Sequence, residues 1–253
     1  MDKRIGAQYY TIRDFCRTFD DFDKSCEKIS KIGYKTVQLS GIGEFDPKEI
    51  KKVLDKHNLE AVCTHRPAKN YIECIENEIE YHKAINCHIA GLGMFPYDKA
   101  TPETIQNLID EYSPVAERLK ESGIVFAYHN HCCEFAKAGG EYLFDMLING
   151  FKSDNFKLIL DVYWLAYSGI DPARFIRKYK DKIACVHFKD LKIEWFDHKF
   201  AEVGFGNLNW GEIIDACDES DAEYALVEQD VCDGDPFDSL KLSYDFLNGK
   251  GFY

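Results

Sequence analysis

The chain has 253 residues, with 44 Asp and Glu against 31 Lys and Arg, a formal net charge of −13 and a pI near 5.1. That balance argues against nucleic acid or an anionic membrane as partner, because both are gripped by clustered Lys and Arg. No run approaches the roughly 18 apolar residues of a membrane helix, and the basic start "MDKRIGAQYY" lacks the apolar stretch of a signal peptide.

No linker or low-complexity run interrupts the chain, so residues 1–253 read as one domain. The first strand is "IGAQYY" (5–10) and the second "TVQLS" (36–40). A helix follows over 46–58, where "DPKEIKKVLDKHN" opens on an Asp cap with Pro in the first turn. Strands "EAVCTH" (60–65) and "HIAGLGM" (88–94) come next. The helix over 101–123 opens on Thr-Pro and closes on Gly123, and Pro114 predicts a kink or break midway. Strands "IVFAYHNH" (124–131) and "FKLILD" (156–161) precede a second Asp-Pro helix over 171–181. The last strands are "IACVHFKD" (183–190) and "EYALVEQD" (223–230), before a third Asp-Pro helix over 235–251.

These runs are short, β-branched or aromatic, and too brief for helices. Apolar strands separated by helices mark parallel βα units, and eight over this length predict an α/β fold, the (β/α)8 TIM barrel. A doubly wound open sheet is the alternative; its dinucleotide-binding form needs a GxGxxG after the first strand, which is absent. Ten cysteines are scattered without a CxxC pair, and Cys63 and Cys185 lie inside apolar runs. They read as buried or reduced thiols of a cytoplasmic protein.

Barrels carry their chemistry at the carboxyl ends of the strands. Those ends supply His65, then His129, His131 and Glu134, then Asp161, then His187, Lys189 and Asp190, and finally Glu228 and Asp230. Glu134, Asp161, His187 and Glu228 form a hard, oxygen-rich set for Mn²⁺ or Mg²⁺, with Zn²⁺ or Co²⁺ as alternatives. Three neighbouring carboxylates without a cation would raise one another's pKa values.

The segments "GAQYYTIRD", "YHNHCCEF", "LDVYWLAYSGIDP", "VHFKD", "EVGFGNLNW" and "LVEQD" stand in the order and spacing of the xylose-isomerase-like TIM barrels, the sugar phosphate isomerase/epimerase group. The resemblance covers nearly the whole chain. It implies a metal held by a Glu after strand 5, an Asp after strand 6, a His after strand 7 and a Glu after strand 8, roles that fall on Glu134, Asp161, His187 and Glu228. Some relatives carry the first ligand earlier on strand 5, where this chain has Tyr128 and His129. It also implies a His after strand 3, here His65, and an assembly that is often a dimer or tetramer.

A divalent ion beside carboxylates suggests carbonyl chemistry: a chelated ketone, an acidified C–H and an enediolate. Glu134 and Glu228 are the candidate bases, and His65 and Lys189 complete the catalytic set, Lys189 as an oxyanion or hydroxyl partner. His129, His131, Trp164 and Phe205 are the candidate contacts to a small sugar or keto-sugar. Gly204 and Gly206 in "EVGFGNLNW" could let backbone N–H groups approach an anion, but no Lys or Arg cluster stands with them. The expected function is therefore a metal-dependent sugar isomerase or epimerase, with a lyase expelling the C1 group of a 3-keto-glycoside as the alternative. An apurinic-site endonuclease and a non-catalytic sugar-binding protein are the remaining classes. The first conflicts with the charge, and the second with the complete set of ionisable groups.

Overall fold

The structure is a computed structural model that describes residues 1–253. Eight parallel strands close into a barrel: β1 (Gly6–Gln8), β2 (Thr36–Ser40), β3 (Glu60–Arg66), β4 (Ile89–Leu92), β5 (Val125–His129), β6 (Phe156–Asp161), β7 (Ile183–Phe188) and β8 (Tyr224–Val227). Closure is made at Gly6, which pairs with Leu226 on one side and Thr36 on the other. A Cβ there would come within 2.4 Å of Leu226 and 2.7 Å of Thr36, so only glycine fits this seam.

The three Asp-Pro openings start helices as their chemistry dictates. Asp46, Asp171 and Asp235 accept the N–H groups of Lys48, Arg174 and Phe237 at the heads of Pro47–Lys56, Pro172–Lys178 and Pro236–Asn248. Pro102–Lys120 departs from expectation, running as one helix through Pro114. Buried side chains on both sides of that proline, from Ile105 to Leu119, pin the segment to the core and outweigh the lost hydrogen bond. Helices Phe19–Ile32, Ala68–Glu73, Ile75–Ala84, Leu143–Gly150, Val162–Tyr167 and Trp210–Asp218, and the hairpin Asp190–Glu194 with Asp197–Ala201, have no counterpart in the predicted elements.

Predicted strands overrun at their carboxyl ends. The first stops at Gln8, whose side chain accepts the Tyr10 N–H and starts the 3-10 turn Tyr9–Phe15. The fifth stops at His129 and the eighth at Val227, so their polar tails lie above the hydrogen-bonded wall. Inside the wall, Val62, Cys63, Ile89, Ala127, Ile159, Ala184, Cys185, Tyr224 and Leu226 form an apolar plug. A larger apolar cluster fills the space between strands and helices. All ten cysteines are unpaired, and no helix is long and apolar enough to cross a membrane.

Candidate active site

Side chains along a strand alternate faces, so the residue two beyond a plug residue also points inward. That step leads from Ala127 to His129, from Ile159 to Asp161, from Cys185 to His187 and from Leu226 to Glu228. Strand register brings the four together: Asp161 pairs with His187, His187 with Leu226, and His129 with Ile159. His129 Nε2 lies 3.3 Å from Asp161 Oδ2 and 4.0 Å from Glu228 Oε2. His187 Nδ1 lies 3.0 Å from Glu228 Oε2 and 3.9 Å from Asp161 Oδ2.

The outward atoms of three of the four groups are anchored. His129 Nδ1 faces the Gly93 carbonyl at 3.2 Å and His187 Nε2 faces Gln38 Oε1 at 2.7 Å, so each donates outward and turns a lone pair inward. Asp161 Oδ1 accepts the N–H groups of Tyr163 and Trp164, capping the helix that follows, which leaves Oδ2 for the centre. Burial works against the charge on Asp161, yet Lys189 and His129 outweigh it and hold its pKa below the ordinary value. Burial likewise opposes ionisation of Glu228, and Lys189 with His187 holds it well below.

These two nitrogens and two oxygens lie within 4.8 Å of one another. Ligand bonds of about 2.0–2.2 Å place adjacent donors roughly 3 to 4 Å apart, so the set fits one divalent ion. Its two imidazoles make it softer than the oxygen-rich set expected.

The structure does not bring Glu134 to this group. The chain turns after His129, and the short 3-10 turn Cys133–Phe135 folds the Glu134 carboxylate back onto the loop. The Tyr128 hydroxyl donates to one oxygen, while the His131 N–H and Cys133 thiol reach the other at 3.0 and 3.3 Å. Tyr128 points away from the barrel interior while its neighbour His129 points in, so Glu134 braces the loop and His129 stands as the fourth donor.

Two more imidazoles flank the group. The His65 ring is 5.1 Å from that of His129, and His131 is 4.6 Å from His129 and 5.3 Å from Trp164. Gln8 Oε1 is fixed by the Tyr10 N–H, so its Nε2 donates toward His65 Nδ1 at 3.4 Å. Neutral His65 therefore carries its proton on Nε2, a buried atom without a partner. Burial and the neighbouring imidazoles pull His65 well below its ordinary pKa and His131 down to about 3. His131 Nδ1 and Trp164 Nε1 are also buried and unpartnered.

A cavity of about 840 Å³ opens over these groups; His65, His129, His131, Trp164, Glu228 and Asp230 line its inner part, and Tyr10, Arg66, Met94 and Phe95 are among its outer residues. Lys189 is not in this lining; it is buried against Asp161, Glu228 and Asp230. Phe205 is 58% exposed and is also outside it. The glycine loop does hold an anion, but the protein's own: Asp190 accepts the N–H groups of Gly204, Gly206 and Leu208 and the indole of Trp210. A Cβ on Gly206 would sit 2.3 Å from Asp190 Oδ1, which explains that glycine. Gln8, Gln38 and Arg66 were missed in the sequence because single amides and a lone Arg carry no motif of their own.

A family model described as "Xylose isomerase-like TIM barrel" matches residues 26–248. An inosose dehydratase of Lacticaseibacillus casei is 23% identical over 266 aligned residues, spanning 90% of this chain and 89% of the relative. A sugar phosphate isomerase/epimerase from Parabacteroides distasonis superposes with a TM-score of 0.81 at 19% identity, covering 97% of this chain and 93% of the other. A probable 3-DHS dehydratase from Bacillus anthracis gives 0.75 at 15% identity, covering 98% and 99%. Structural likeness at these identities shows a shared fold.

Proposed function

The chain belongs to the xylose isomerase-like TIM barrel family, and from that premise we propose that it is a divalent-metal-dependent lyase acting on a keto-sugar or keto-polyol. One observation carries the choice of elimination: of the two carboxylates in the donor group only Glu228 keeps an oxygen for substrate, and Asp230, the other carboxylate in the cavity's inner part, is held by Lys189. Glu228 Oε2 faces the donor group, and its Oε1 makes no hydrogen bond within the chain and borders the cavity. Asp161 spends its second oxygen on a helix cap, and Glu134 is folded away. Epimerisation at one carbon asks for two bases on opposite faces, whereas elimination can be served by one carboxylate that takes the proton and then passes it to the departing oxygen.

An ion held by His129, Asp161, His187 and Glu228, Mn²⁺ being the first choice, would supply the Lewis acid that makes the C–H beside a ketone removable. Glu228 takes that proton through Oε1. The C–H electron pair becomes a C=C bond, the C–O bond at the next carbon breaks, and the departing oxygen needs a proton. His65 Nε2 carries an N–H with no protein partner and is the group we assign to orient it by hydrogen bonding, while the proton taken up by Glu228 passes on to the departing oxygen. Trp164 and His131 present unpartnered nitrogens to substrate hydroxyls. The dehydratase relatives support elimination. Ten unpaired thiols suit a cytoplasmic setting.

The test is incubation of the Mn²⁺-loaded protein with keto-inositols and 3-keto-glycosides in deuterated water, followed by mass spectrometry. Loss of water or of the C1 group supports the lyase. Deuterium uptake with no mass lost, and a new stereoisomer, would make it an epimerase. No exchange on any substrate would sink both. Glu228→Gln should lower turnover by about 10²-fold or more.

A further inference from the structure

Lys189 is only 1% exposed, yet it reaches three carboxylates. Its Nζ lies 3.3 Å from Asp161 Oδ2, 3.3 Å from Glu228 Oε2 and 2.5 Å from Asp230 Oδ2. The rings of Tyr163, Trp164 and Phe200 wall it in at 5.6, 5.1 and 5.2 Å from the ammonium. With every near acceptor a carboxylate, Lys189 is placed to act on the donor group rather than on substrate.

The oxygens it touches decide what it does. Asp161 Oδ2 and Glu228 Oε2 are the same two atoms that face His129 Nε2 and His187 Nδ1. An ammonium and a divalent cation sharing both oxygens in a buried site repel each other strongly. Asp230 stands outside the four-donor group and makes the shortest of the three contacts, which draws the ammonium aside.

We propose that Lys189 is a built-in competitor for the metal centre, restrained by Asp230, and that this pair sets how tightly the site binds a divalent ion. The proposal rests on the metal-binding reading above. It assigns Lys189 a role other than oxyanion partner, and it assigns Asp230 an action through Lys189, making Asp230 a positioning residue.

The two partners are expected to shift affinity in opposite directions. Removing the ammonium should tighten binding, and removing the carboxylate that restrains it should weaken binding. Titration calorimetry with Mn²⁺ on the chelator-treated full chain reads this directly. Lys189→Met and Lys189→Gln should each bind Mn²⁺ at least about tenfold more tightly than wild type, and Asp230→Asn at least about tenfold more weakly. Circular dichroism and melting temperature establish that each variant is folded, and Asp230→Asn keeps the test alive if both lysine variants fail to fold.

A lysine with a purely structural role gives the opposite sign, because three unbalanced carboxylates would splay the donors and weaken binding. Affinity unchanged or lowered in folded Lys189 variants would overturn the proposal, as would unchanged affinity in Asp230→Asn, while leaving the metal site intact. If neither the wild type nor any variant binds Mn²⁺, Co²⁺ or Zn²⁺, the metal reading fails and this proposal with it.

Discussion

The orientation of each imidazole in the site is set by the carbonyl behind it. Gln38 Oε1 accepts from His187 Nε2 and the Gly93 carbonyl from His129 Nδ1, so the proton sits outward and the lone pair inward. Gln38→Leu would leave His187 free to rotate and to exchange tautomers, and metal affinity should fall by about 10–100-fold without loss of fold. Calorimetric titration of wild type and variant checks this. Neighbouring residues on β5 divide two tasks by facing opposite ways, His129 into the barrel and Tyr128 onto Glu134. Elemental analysis should therefore find the metal retained in Glu134→Gln and lost in His129→Ala and Asp161→Ala. Tyr128→Phe should keep the metal too, but removing a donor from a buried carboxylate should lower unfolding stability by about 1–3 kcal/mol.

At the scale of elements, Asp190 organises the loop over residues 202–210. Its carboxylate collects the Gly204, Gly206 and Leu208 N–H groups and the Trp210 indole, besides its neighbour Leu191. Asp190→Asn keeps the shape but loses the charge that five donors require, so it should cost about 3–5 kcal/mol in urea unfolding. Phosphate should not bind there in the wild type. The same loop shows where sequence reading stops. Glycines that free backbone N–H groups for an anion are visible in "EVGFGNLNW", but the anion they meet comes from a residue more than ten positions earlier. Glu134 lies apart from the donor group for a related reason: the end of β5 sets its place, and overrunning that strand by two residues hid the turn. The barrel itself was legible, because short apolar runs and Asp-Pro caps are local signals. So were three of the four residues that the fold gathers into the donor group. The two-residue step from an apolar plug residue links Cys63 to His65, Ala127 to His129, Ile159 to Asp161, Cys185 to His187 and Leu226 to Glu228. On β5 that step leads to His129 rather than Glu134 once the barrel wall shows which residues form the plug.

For the whole molecule, the consequence is a dependence of stability on pH that runs through buried imidazoles. His82 is fully buried, with its Nδ1 donating to the Glu78 carbonyl at 2.6 Å and its Nε2 accepting from Thr64 Oγ1 at 2.8 Å. Burial pushes its pKa down to about 4, with Arg66 adding to the shift and Glu78 opposing it. The unfolded chain takes up that proton near 6.5, so between the two values it binds more protons than the folded chain. The stability from neutral His82 is thus complete above about 6.5 and drains away as the pH falls toward 4, by up to about 3 kcal/mol. His65 and His131, also shifted down, add to the same slope. A net charge of −13 works the other way, because mild acidification relieves the repulsion among carboxylates. The wild-type profile alone mixes these terms, and a variant separates them. His82→Gln loses the titrating group while retaining an amide that can reach the same partners. Urea unfolding of both proteins at pH 7 and pH 5 should show a smaller loss for the variant, with the two proteins closer in stability at pH 5 than at pH 7. Parallel losses would mean that His82 is protonated in the folded chain as readily as in the unfolded one, and that the barrel's acid sensitivity arises elsewhere.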